Sequence, residues 1–378
     1  MSNWEVKRFI DFIKLNRGFD LPNDKMIFGD YPVVASTSIK GMHNKYKVES
    51  PCVITGRSGS LGTVQYINKK CTPLNTTLYV KDFKDNDTKF VYYFLQTMHL
   101  EEFNSGAGVP TLNQNHLHNI KLNVPDLPTQ ERIADILSSY DDLIENNNRR
   151  IELLEKAAQE LYKEWFVRFR FPGHEHSKMV NGIPEGWERN RLSVYYDTTS
   201  GGTPSRKNPE CFTNGTYPWV KTGEIQDSII LDTEEYITAE AIKKSSAKLL
   251  PNNSIIIAMY GVNIGKLAYL NGTMTCNQAC CVFKDKKYQS SKHYLFYYLK
   301  SIREYLFLIS FGAAQQNLSQ DLIKKIKITM PPEEIINSFE MKVDKFYDSI
   351  KALQQQNQNL KKQRDLLLPR LMSGKLEV

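Results

Sequence analysis

The sequence has no CxxC pair and no long hydrophobic run. Its six cysteines are Cys52, Cys71, Cys211, Cys276, Cys280 and Cys281. None forms a CxxC pair or joins histidines at zinc-finger spacing, so we expect reduced, mostly buried thiols. The first residues do not form a basic-then-apolar signal, and no apolar run approaches the roughly 18 residues that span a bilayer. These absences predict a cytoplasmic protein without a zinc finger.

Recognisable catalytic motifs are also scarce. "GVNIGKL" from Gly261 has too few residues between its glycines for a phosphate-binding P-loop and lacks a hydroxyl residue after Lys266. "GRSGSLG" from Gly56 connects two predicted strands, so it lacks the helix of a dinucleotide site and predicts a tight hairpin. The Pro-Pro pair at Pro331 lacks the flanks with which adenine methyltransferases grip a flipped base. We expect no catalytic site, and a nuclease with an unrecognised site is an alternative.

The composition is that of a folded protein with a mild basic excess. Of its 378 residues, 41% are hydrophobic, and the formal net charge is +7. This length and apolar content predict two or three domains with buried cores. The positive charge favours polyanions as partners, but charged residues of both signs are abundant, so the basic excess must be local to matter.

The second half of the sequence repeats the first in the same order. "WEVKRF" from Trp4 returns as "WERNRL" from Trp187, and "YPVVAST" from Tyr31 returns as "YPWVKTG" from Tyr217. The period of about 200 residues is too long for a solenoid. We therefore predict a duplicated unit that consists of a domain followed by a helix.

The repeat extends through the glycine-rich loops. Aligned without gaps, "VITGRSGSLGTVQYI" from Val53 matches "IIAMYGVNIGKLAYL" from Ile256, and the segment around Asn75 matches the segment around Asn277. Short β-branched runs bounded by Gly and Asn predict strands at 52–55, 63–67, 254–259 and 266–270, and aromatic stretches at 89–100 and 292–307 predict helices. Each repeat therefore predicts a strand-rich α+β module.

A long amphipathic segment follows each module. Apolar residues alternate there at spacings of four and three, as in the seam of a coiled coil. The seam positions are Ile133, Leu137, Tyr140, Ile144, Asn147, Ile151, Leu154, Ala158, Leu161 and Trp165, then Ile336, Phe339, Val343, Phe346, Ile350, Leu353, Asn357, Leu360, Arg364, Leu367 and Leu371. Each helix of about 35 residues would be about 55 Å long, which exceeds the roughly 30 Å width of one module.

These patterns predict an α+β architecture in which two similar strand-rich domains are joined by two long antiparallel coiled-coil helices, with a pseudo-twofold internal repeat. We place the first domain at 1–128, the first helix at 129–170, the second domain at 171–332 and the second helix at 333–378. The alternative is that each helix packs only on its own domain, as amphipathic helices usually do.

Each seam contains one asparagine near its middle, Asn147 and Asn357. Asparagine costs a helix roughly 0.6 kcal/mol relative to Ala. A seam asparagine lowers stability but disfavours shifted registers, in which its amide would face only apolar groups. We predict that these residues fix the coiled-coil register and that Asn147 lies near Asn357 or another polar group, while Asn146 and Asn148 face solvent or a partner.

The loops of the two modules are rich in side chains that hydrogen-bond to base edges and phosphates. Framework residues match between the modules whereas loop residues differ, which is typical of a duplicated binding module with two targets. The alternative is that these loops are polar because they are solvated. The predicted DNA contacts are Arg57, Ser58, Ser60, Asn75, Asn113, Gln114 and Asn115 in the first module, and Gly202, Thr203, Lys221, Tyr260, Asn263, Gln315, Gln316 and Asn317 in the second.

Several long strings resemble the specificity subunit of type I restriction-modification systems. They are the segment from Leu127 that begins "LPTQERIADILSSYDDLIENNN", "GIPEGWE" from Gly182, "SGGTPSRKNPECF" with "YPWVKTGEI" between 200 and 225, and the terminal "KKQRDLLLPRLMSGKLEV". "RGFDLP", "YPVVAS" and "GRSGSLGTV" in the first module are similar to the same family. The resemblance covers essentially the whole chain.

The resemblance implies a non-catalytic subunit that binds double-stranded DNA. Each target-recognition domain would read one half of a split sequence, while the helices would fix the unread spacer and dock two modification subunits. Those subunits would bring S-adenosylmethionine and methylate adenine, and restriction subunits with ATP and Mg would complete the complex. This chain itself would bind no cofactor and no metal. A structural adaptor that holds proteins together without reading DNA is a further alternative.

Overall fold

The structure, a computed structural model, describes residues 4–106, 108–287, 290–311 and 317–378. The chain forms two compact units: unit 1 comprises Met1–Asn146 and Gln356–Val378, and unit 2 comprises Asn147–Gln355. In the part of the chain that is described, no helix has the length and apolar character needed to cross a membrane.

Unit 1 is built from short strands and a few helices. The strands are β1 (Trp4–Arg8), β2 (Lys14–Arg17), β3 (Tyr31–Val34), β4 (Ile39–His43), β5 (Cys52–Gly56), β6 (Val64–Ile67), β7 (Thr72–Pro73), β8 (Thr77–Asp82) and β9 (Lys121–Pro125). The helices are α1 (Phe9–Phe12), α2 (Thr88–Thr97) and α3 (Gln114–His118), with 3-10 turns at Asn23–Lys25 and Leu100–Phe103. An antiparallel sheet has the order β2-β8-β5-β6; a second has the order β4-β3-β7, and β1 pairs with β9.

The long helix α4 (Leu127–Tyr162) follows β9 and ends in a π-helical turn at Lys163–Val167, and a 3-10 turn follows at His174–His176. The strands of unit 2 are β10 (Met179–Val180), β11 (Ile183–Pro184), β12 (Glu188–Arg191), β13 (Tyr196–Ser200), β14 (Tyr217–Val220), β15 (Ser228–Ile230), β16 (Tyr236–Ile237), β17 (Ile255–Ala258), β18 (Leu267–Leu270), β19 (Thr275–Cys276), β20 (Cys280–Asp285) and β21 (Lys327–Met330). The helices are α5 (Leu192–Tyr195), α6 (Ala239–Lys244), α7 (Lys292–Ser301), α8 (Arg303–Phe311), α9 (Gln320–Lys325) and the long α10 (Glu333–Met372), with 3-10 turns at Pro209–Cys211, Thr222–Glu224 and Gly261–Asn263.

The two units share one topology, which confirms the predicted duplication and the α+β class. The sheet β13-β20-β17-β18 of unit 2 repeats β2-β8-β5-β6 of unit 1, and the order β16-β14-β19 repeats β4-β3-β7. Strand β19 runs parallel to β14 as β7 runs parallel to β3, and the pair β12-β21 repeats β1-β9. Unit 2 adds β15, which extends its sheet by pairing in parallel with β18.

A close approach of the main chain is common to both units. A Cβ added to Gly18 would overlap the carbonyl oxygen of Leu74, and one added to Gly201 would overlap that of Cys276. Only glycine allows the segment after β2, or after β13, to pass so near the strand beside it. The two glycines therefore occupy equivalent places in the repeat.

The long helices contribute to both units and run antiparallel where they pack. In unit 1, Asp141 of α4 forms an ion pair with Arg364 near the end of α10. In unit 2, Trp165 near the end of the α4 segment lies 6.0 Å, between ring centroids, from Phe339 near the start of α10. Each unit thus places one end of one helix beside the opposite end of the other, as predicted.

The predicted seam residues that the two helices carry are buried or half-buried. Asn147 and Asn357 are 4% and 6% exposed, so neither amide points into bulk water. Asn146 and Asn148 are exposed. The seam positions are confirmed, whereas the pairing of the two buried asparagines and their effect on register stay predictions.

In unit 1, a side chain from the long helix holds the first turn of α2. The buried Gln130 accepts a hydrogen bond from Asp87 N (3.0 Å) and donates to Pro125 O (2.9 Å) and to Asn86 Oδ1 (2.8 Å). Asp87 itself caps α2, because its carboxylate accepts from Phe90 N at 2.7 Å. Such caps satisfy amides at a helix start that have no partner within the helix.

In unit 2, a buried carboxylate from the other long helix holds the first turn of α7. Glu340 of α10 accepts hydrogen bonds from His293 N (3.1 Å) and Tyr294 N (2.8 Å), both in the first turn of α7. Negative charge is favoured at a helix N-terminus. Burial nevertheless raises the pKa of Glu340 to about 7, because the charged form is poorly solvated there.

A neutral imidazole packs beside this carboxylate. The His293 side chain is fully buried, with Nε2 2.9 Å from Asp344 Oδ1 and Nδ1 2.9 Å from the Tyr269 hydroxyl. Burial lowers the pKa of His293, while the hydrogen bond to the histidine lowers the pKa of Asp344 to about 2. These shifts fit an Nε2–H that donates to the carboxylate and an Nδ1 that accepts from Tyr269.

We predict that Glu340→Gln flattens the pH dependence of unit 2 stability. The pKa of Glu340 is raised from 4.5 to about 7, so between these two pH values the folded chain holds a proton that the unfolded chain lacks. Stability therefore falls as pH rises through about 7, by about 3 kcal/mol at most. Glu340→Gln should reduce that fall. Urea unfolding at pH 5 and pH 8, followed by tryptophan fluorescence, measures it, since Trp165, Trp187 and Trp219 lie in unit 2.

Glu334→Gln is the matched control, because Glu334 is exposed in the first turn of the same helix. It should keep the pH dependence of the wild-type chain. His293 titrates in the opposite sense, since its lowered pKa makes stability fall as pH drops below about 6.5, but it does so in all three proteins. Equal pH slopes for Glu340→Gln and the wild type would contradict the assignment.

Candidate nucleic-acid interface

An open cleft in unit 1 brings several predicted DNA contacts together. It lies where β2 and β5 end and where α3 begins, and its volume is ≈ 610 Å³. The lining residues are Arg17, Arg57, Leu78, Ser105, Thr111, Leu112, Asn113, Gln114 and Asn115. Arg57 and the run 113–115 of the predicted set therefore belong to one site. The described lining residues include two guanidinium groups and no carboxylate.

Main-chain hydrogen bonds fix the position of Arg57. The amides of Arg57 and Ser58 donate to Thr76 O at 2.8 and 3.1 Å, and Leu112 N donates to Arg57 O at 2.8 Å. The Ser36 hydroxyl also donates to Thr76 O, at 2.8 Å. Within the described residues, no acceptor binds the guanidinium of Arg57. The backbone is held on both sides while the charged group stays available to a ligand.

The start of α3 supplies the amide side of the cleft. The Asn113 side chain caps this helix by accepting from Asn115 N at 2.9 Å. Gln114 Oε1 is buried but has no hydrogen-bond donor among the residues that the structure describes. A buried amide oxygen without a donor is uncommon in folded proteins. It gives the cleft an acceptor beside its two arginines.

Unit 2 has a cleft in the corresponding place, with a volume of ≈ 810 Å³. Its lining residues are Ser200, Met259, Tyr260, Gln278, Ser319, Gln320, Asp321 and Lys324. Leu318 N donates to Met259 O at 2.9 Å, which repeats the bond from Leu112 N to Arg57 O. Met259 therefore occupies the position of Arg57 in unit 1.

The rest of the second cleft follows from the same equivalence. Ser319 caps α9 by accepting from Leu322 N at 3.2 Å, so it takes the place of Asn113. Ser200, at the end of β13 and directly before Gly201, takes the place of Arg17 before Gly18. The two arginines of unit 1 are thus replaced by a methionine and a serine, and the described lining of the second cleft carries one acid and one base.

The strand register corrects the ungapped alignment of the repeat. Tyr66 pairs with Val53 across β5 and β6, whereas Tyr269 pairs with Ile255 across β17 and β18. Val53 therefore corresponds to Ile255, and the alignment with Ile256 is wrong by one residue. The connection in unit 2 is one residue longer than in unit 1, and an alignment without gaps cannot absorb that difference.

Asn75 has a counterpart that the alignment misplaced. Its Nδ2 donates to Asp20 Oδ1, and in unit 2 the Thr203 hydroxyl donates to Gln278 Oε1. Both contacts join the loop after the first sheet strand to the turn before the strand beside it, so Gln278, rather than Asn277, matches Asn75. The two pairs show which polar groups stand next to each cleft.

Two predicted contacts of the second module have structural roles instead. Asn263 is buried, and its amide donates to Thr222 O (2.9 Å) and Gly223 O (3.3 Å), which ties two 3-10 turns together. Gly202 is buried as well, and its carbonyl accepts from Trp219 Nε1 at 3.0 Å. Neither residue presents a polar group to the cleft, because both are buried and the Asn263 amide and the Gly202 carbonyl already make internal hydrogen bonds.

Lys221 is a cation whose charge is already matched. Its Nζ lies 3.0 Å from Glu234 and 2.9 Å from Glu235, and hydrogen bonds to these carboxylates raise its pKa, with Glu235 the larger cause. Arg206 also pairs with Glu235, and it is the main reason that the pKa of this carboxyl is lowered to about 2. A phosphate would have to compete with two carboxylates for Lys221.

The other predicted contacts lie near the clefts or outside the described residues. Ser60, Thr203 and Tyr260 are exposed, and Ser58 and Asn317 are half-buried. Gln315 and Gln316 fall among the residues that the structure does not describe. DNA contact by any of these residues stays a prediction.

Sequence reasoning missed residues that line the clefts. The predicted set omits Arg17, which stands directly before the close-approach Gly18, and it omits Gln278, Gln320, Asp321 and Lys324 of the second module. Correct pairing of the repeat would have indicated Gln278 and Gln320, because they correspond to Asn75 and Gln114. Within the described residues, no group of three His, Cys, Asp or Glu side chains could hold a metal ion.

A comparison with known protein families supports the duplication of this site. The model of the family described as Type I restriction modification DNA specificity domain matches residues 1–156 and 184–362. The match covers both repeats, so the chain belongs to this family and contains its domain twice.

Known relatives support the same family. The chain is 28% identical over 334 residues to the Type I restriction enzyme MjaIX specificity subunit of Methanocaldococcus jannaschii, which covers 84% of this chain and 77% of that protein. It is 26% identical over 405 residues to the MjaVIII specificity subunit of the same organism, covering 100% and 94%. The fold is similar to the crystal structure of a Type-I restriction-modification system S subunit from M. genitalium, with a TM-score of 0.66, 17% identity and coverage of 98% and 96%.

We predict that Asn263→Ala lowers stability because Asn263 is structural. The change removes the two hydrogen bonds that the buried Asn263 amide donates to Thr222 O and Gly223 O, which costs about 1–3 kcal/mol. Urea unfolding followed by tryptophan fluorescence measures the loss. Asn208→Ala is the control in the same unit, since Asn208 is exposed and its side chain caps nothing; it should change stability by less than about 0.5 kcal/mol. Equal midpoints for the two variants would contradict the role of Asn263.

Proposed function

We propose that the chain is the DNA-reading specificity subunit of a type I restriction-modification complex. Each unit would read one half of a split DNA sequence. The observation that carries this proposal is the cleft that recurs at one place in two copies of the fold, with different hydrogen-bonding side chains in each copy. One fold whose two clefts are lined by different side chains can bind two different half-sites.

The chemistry of the clefts suits base edges and phosphates. Arg and Lys neutralise phosphates, and Arg, Asn and Gln pair with the hydrogen-bonding edges of bases in the major groove. Splitting the target increases specificity, because each mismatched base pair typically costs about 1–3 kcal/mol. We propose that the long helices hold the two half-sites at a fixed spacing, so that one register of α4 and α10 corresponds to one spacer length.

We propose that the long helices also dock two methyltransferase subunits. Large apolar side chains are exposed on both helices: Leu143 is 50% and Leu153 is 60% exposed on α4, and Met341 and Leu366 are each 65% exposed on α10. Exposed apolar groups in numbers often mark a protein interface. A partner that covers them would stabilise the helices.

The complex, rather than this chain, would carry the chemistry. S-adenosylmethionine would be held by the methyltransferase subunits, which would methylate adenine in each half-site, and ATP with Mg by restriction subunits where these are present. The residues of this chain bind and orient the DNA. Because the substrate is chromosomal or invading DNA, we propose that the complex acts in the cytoplasm.

We predict that recognition is modular. Replacing residues 57–76 with the corresponding segment of another family member should change one half of the methylated sequence and leave the other half unchanged. Replacing residues 259–279, the equivalent segment of unit 2, should change only the opposite half. Long-read sequencing of DNA from cells that express the chain with its methyltransferase subunit maps the methylated adenines and measures both outcomes.

Three results would contradict the proposed function. If either replacement changed both halves, the units would not read DNA independently. A complex that neither methylates nor binds a defined sequence would indicate an adaptor. Cleavage of DNA by the purified chain with a divalent metal would indicate a nuclease. DNA affinity that falls steeply with salt supports phosphate contacts and separates the specificity subunit from the adaptor.

A further inference from the structure

The two clefts differ most at the positions of Arg57 and Arg17. The equivalent positions in unit 2 hold Met259, which is only 3% exposed, and Ser200. Neither replacement has a charged donor. Both positions line the clefts, so the two half-sites should differ in the hydrogen-bond pattern read at one shared position.

The first cleft offers donors and an acceptor at the same time. Arg57 is half-buried on a backbone fixed by hydrogen bonds to Thr76 and Leu112, and its guanidinium has no acceptor among the described residues. Gln114 Oε1 is buried in the same lining without a donor. A buried carbonyl oxygen without a partner is costly unless a ligand satisfies it, and the half-buried guanidinium that lines the same open cleft can bind that ligand too.

A G·C base pair has the complementary pattern. In the major groove, guanine presents the acceptors O6 and N7, and the paired cytosine presents the N4 amino donor. Arginine donates to O6 and N7 with two parallel hydrogen bonds, and an amide oxygen accepts from N4. An A·T pair places its donor on the purine, opposite to what Arg57 needs.

We propose that unit 1 reads a G·C pair, with Arg57 donating to the guanine and Gln114 Oε1 accepting from the cytosine, and that unit 2 cannot read this pair at the equivalent position. This inference rests on the proposed function and specifies its target. Arg17 is exposed at the end of β2, and in this proposal its guanidinium binds a phosphate instead. Phosphate contacts fix position without selecting a base.

The test uses the complex of the chain with its methyltransferase subunits. Once methylation mapping has given the split sequence, binding is measured by fluorescence anisotropy on duplexes in which each position of the unit 1 half-site is replaced in turn. Arg57→Gln should lower the preference for G·C at one position of that half-site by about 10- to 100-fold, and leave discrimination at the other positions unchanged. The wild-type half-site must contain that G·C pair.

Arg17→Gln is the matched control, because it removes an arginine from the same cleft. It should weaken binding to all duplexes about equally and reduce the slope of log affinity against log salt by about one. Arg57→Lys keeps a positive charge but loses the planar donor fork, so it should reduce the guanine preference while retaining the salt slope. This second variant decides the matter if Arg57→Gln folds poorly.

Each result has a defined meaning. A unit 1 half-site without a G·C pair, or equal weakening of all duplexes by Arg57→Gln and Arg57→Lys, overturns the inference and leaves the proposed function intact. A wild-type complex that neither methylates nor binds any defined sequence overturns the proposed function itself. Loss of guanine preference in Arg57→Gln with uniform weakening in Arg17→Gln supports the inference.

Discussion

The structure depends on a bond between each long helix and the first turn of one aromatic helix. Gln130 of α4 holds the start of α2 in unit 1, and Glu340 of α10 holds the start of α7 in unit 2. Helix starts carry amides that must find acceptors when buried. Because the acceptor comes from the long helix, the strand-rich part of each unit cannot rotate on that helix without leaving buried amides unsatisfied. The sheet, and with it the cleft, is thereby oriented on the helix.

The two units meet this constraint with different chemistry. Gln130 is neutral and makes three hydrogen bonds, whereas the Glu340 carboxyl accepts two and has its pKa raised to about 7 by burial. Unit 2 compensates with a neutral His293 and an ionised Asp344 beside it. Duplication has therefore preserved the topology and the geometric requirement, while the residues that satisfy the requirement have diverged. The clefts have diverged in the same way, since different side chains line them on the same topology.

Much of the fold follows from patterns that sequence displays directly. The heptad spacing that includes Leu137 and Phe339 predicts the paired helices, because a helix of that length buries its apolar stripe best against another long helix. The site was harder to predict. Arg57, Asn113, Gln114 and Asn115 come together as expected, but Asn263 and Lys221 are used internally, and a polar residue type does not reveal whether a carbonyl or a carboxylate already satisfies it. The places of Arg17 and Gln278 follow from strand pairing and side-chain contacts, which set Arg17 beside β8 and give Gln278 the position of Asn75.

The hydrogen bonds around residue 57 have an evolutionary consequence. They involve only its amide and carbonyl, and Met259 makes the equivalent bond to Leu318 with an unrelated side chain. The main-chain bonds at this position are thus compatible with two very different side chains, a half-buried arginine and a buried methionine. If residue 57 reads a base as we propose, a substitution there can change the target sequence without removing these main-chain hydrogen bonds. Target choice and foldability would then be separable at this position, because one depends on the side chain and the other on the main chain.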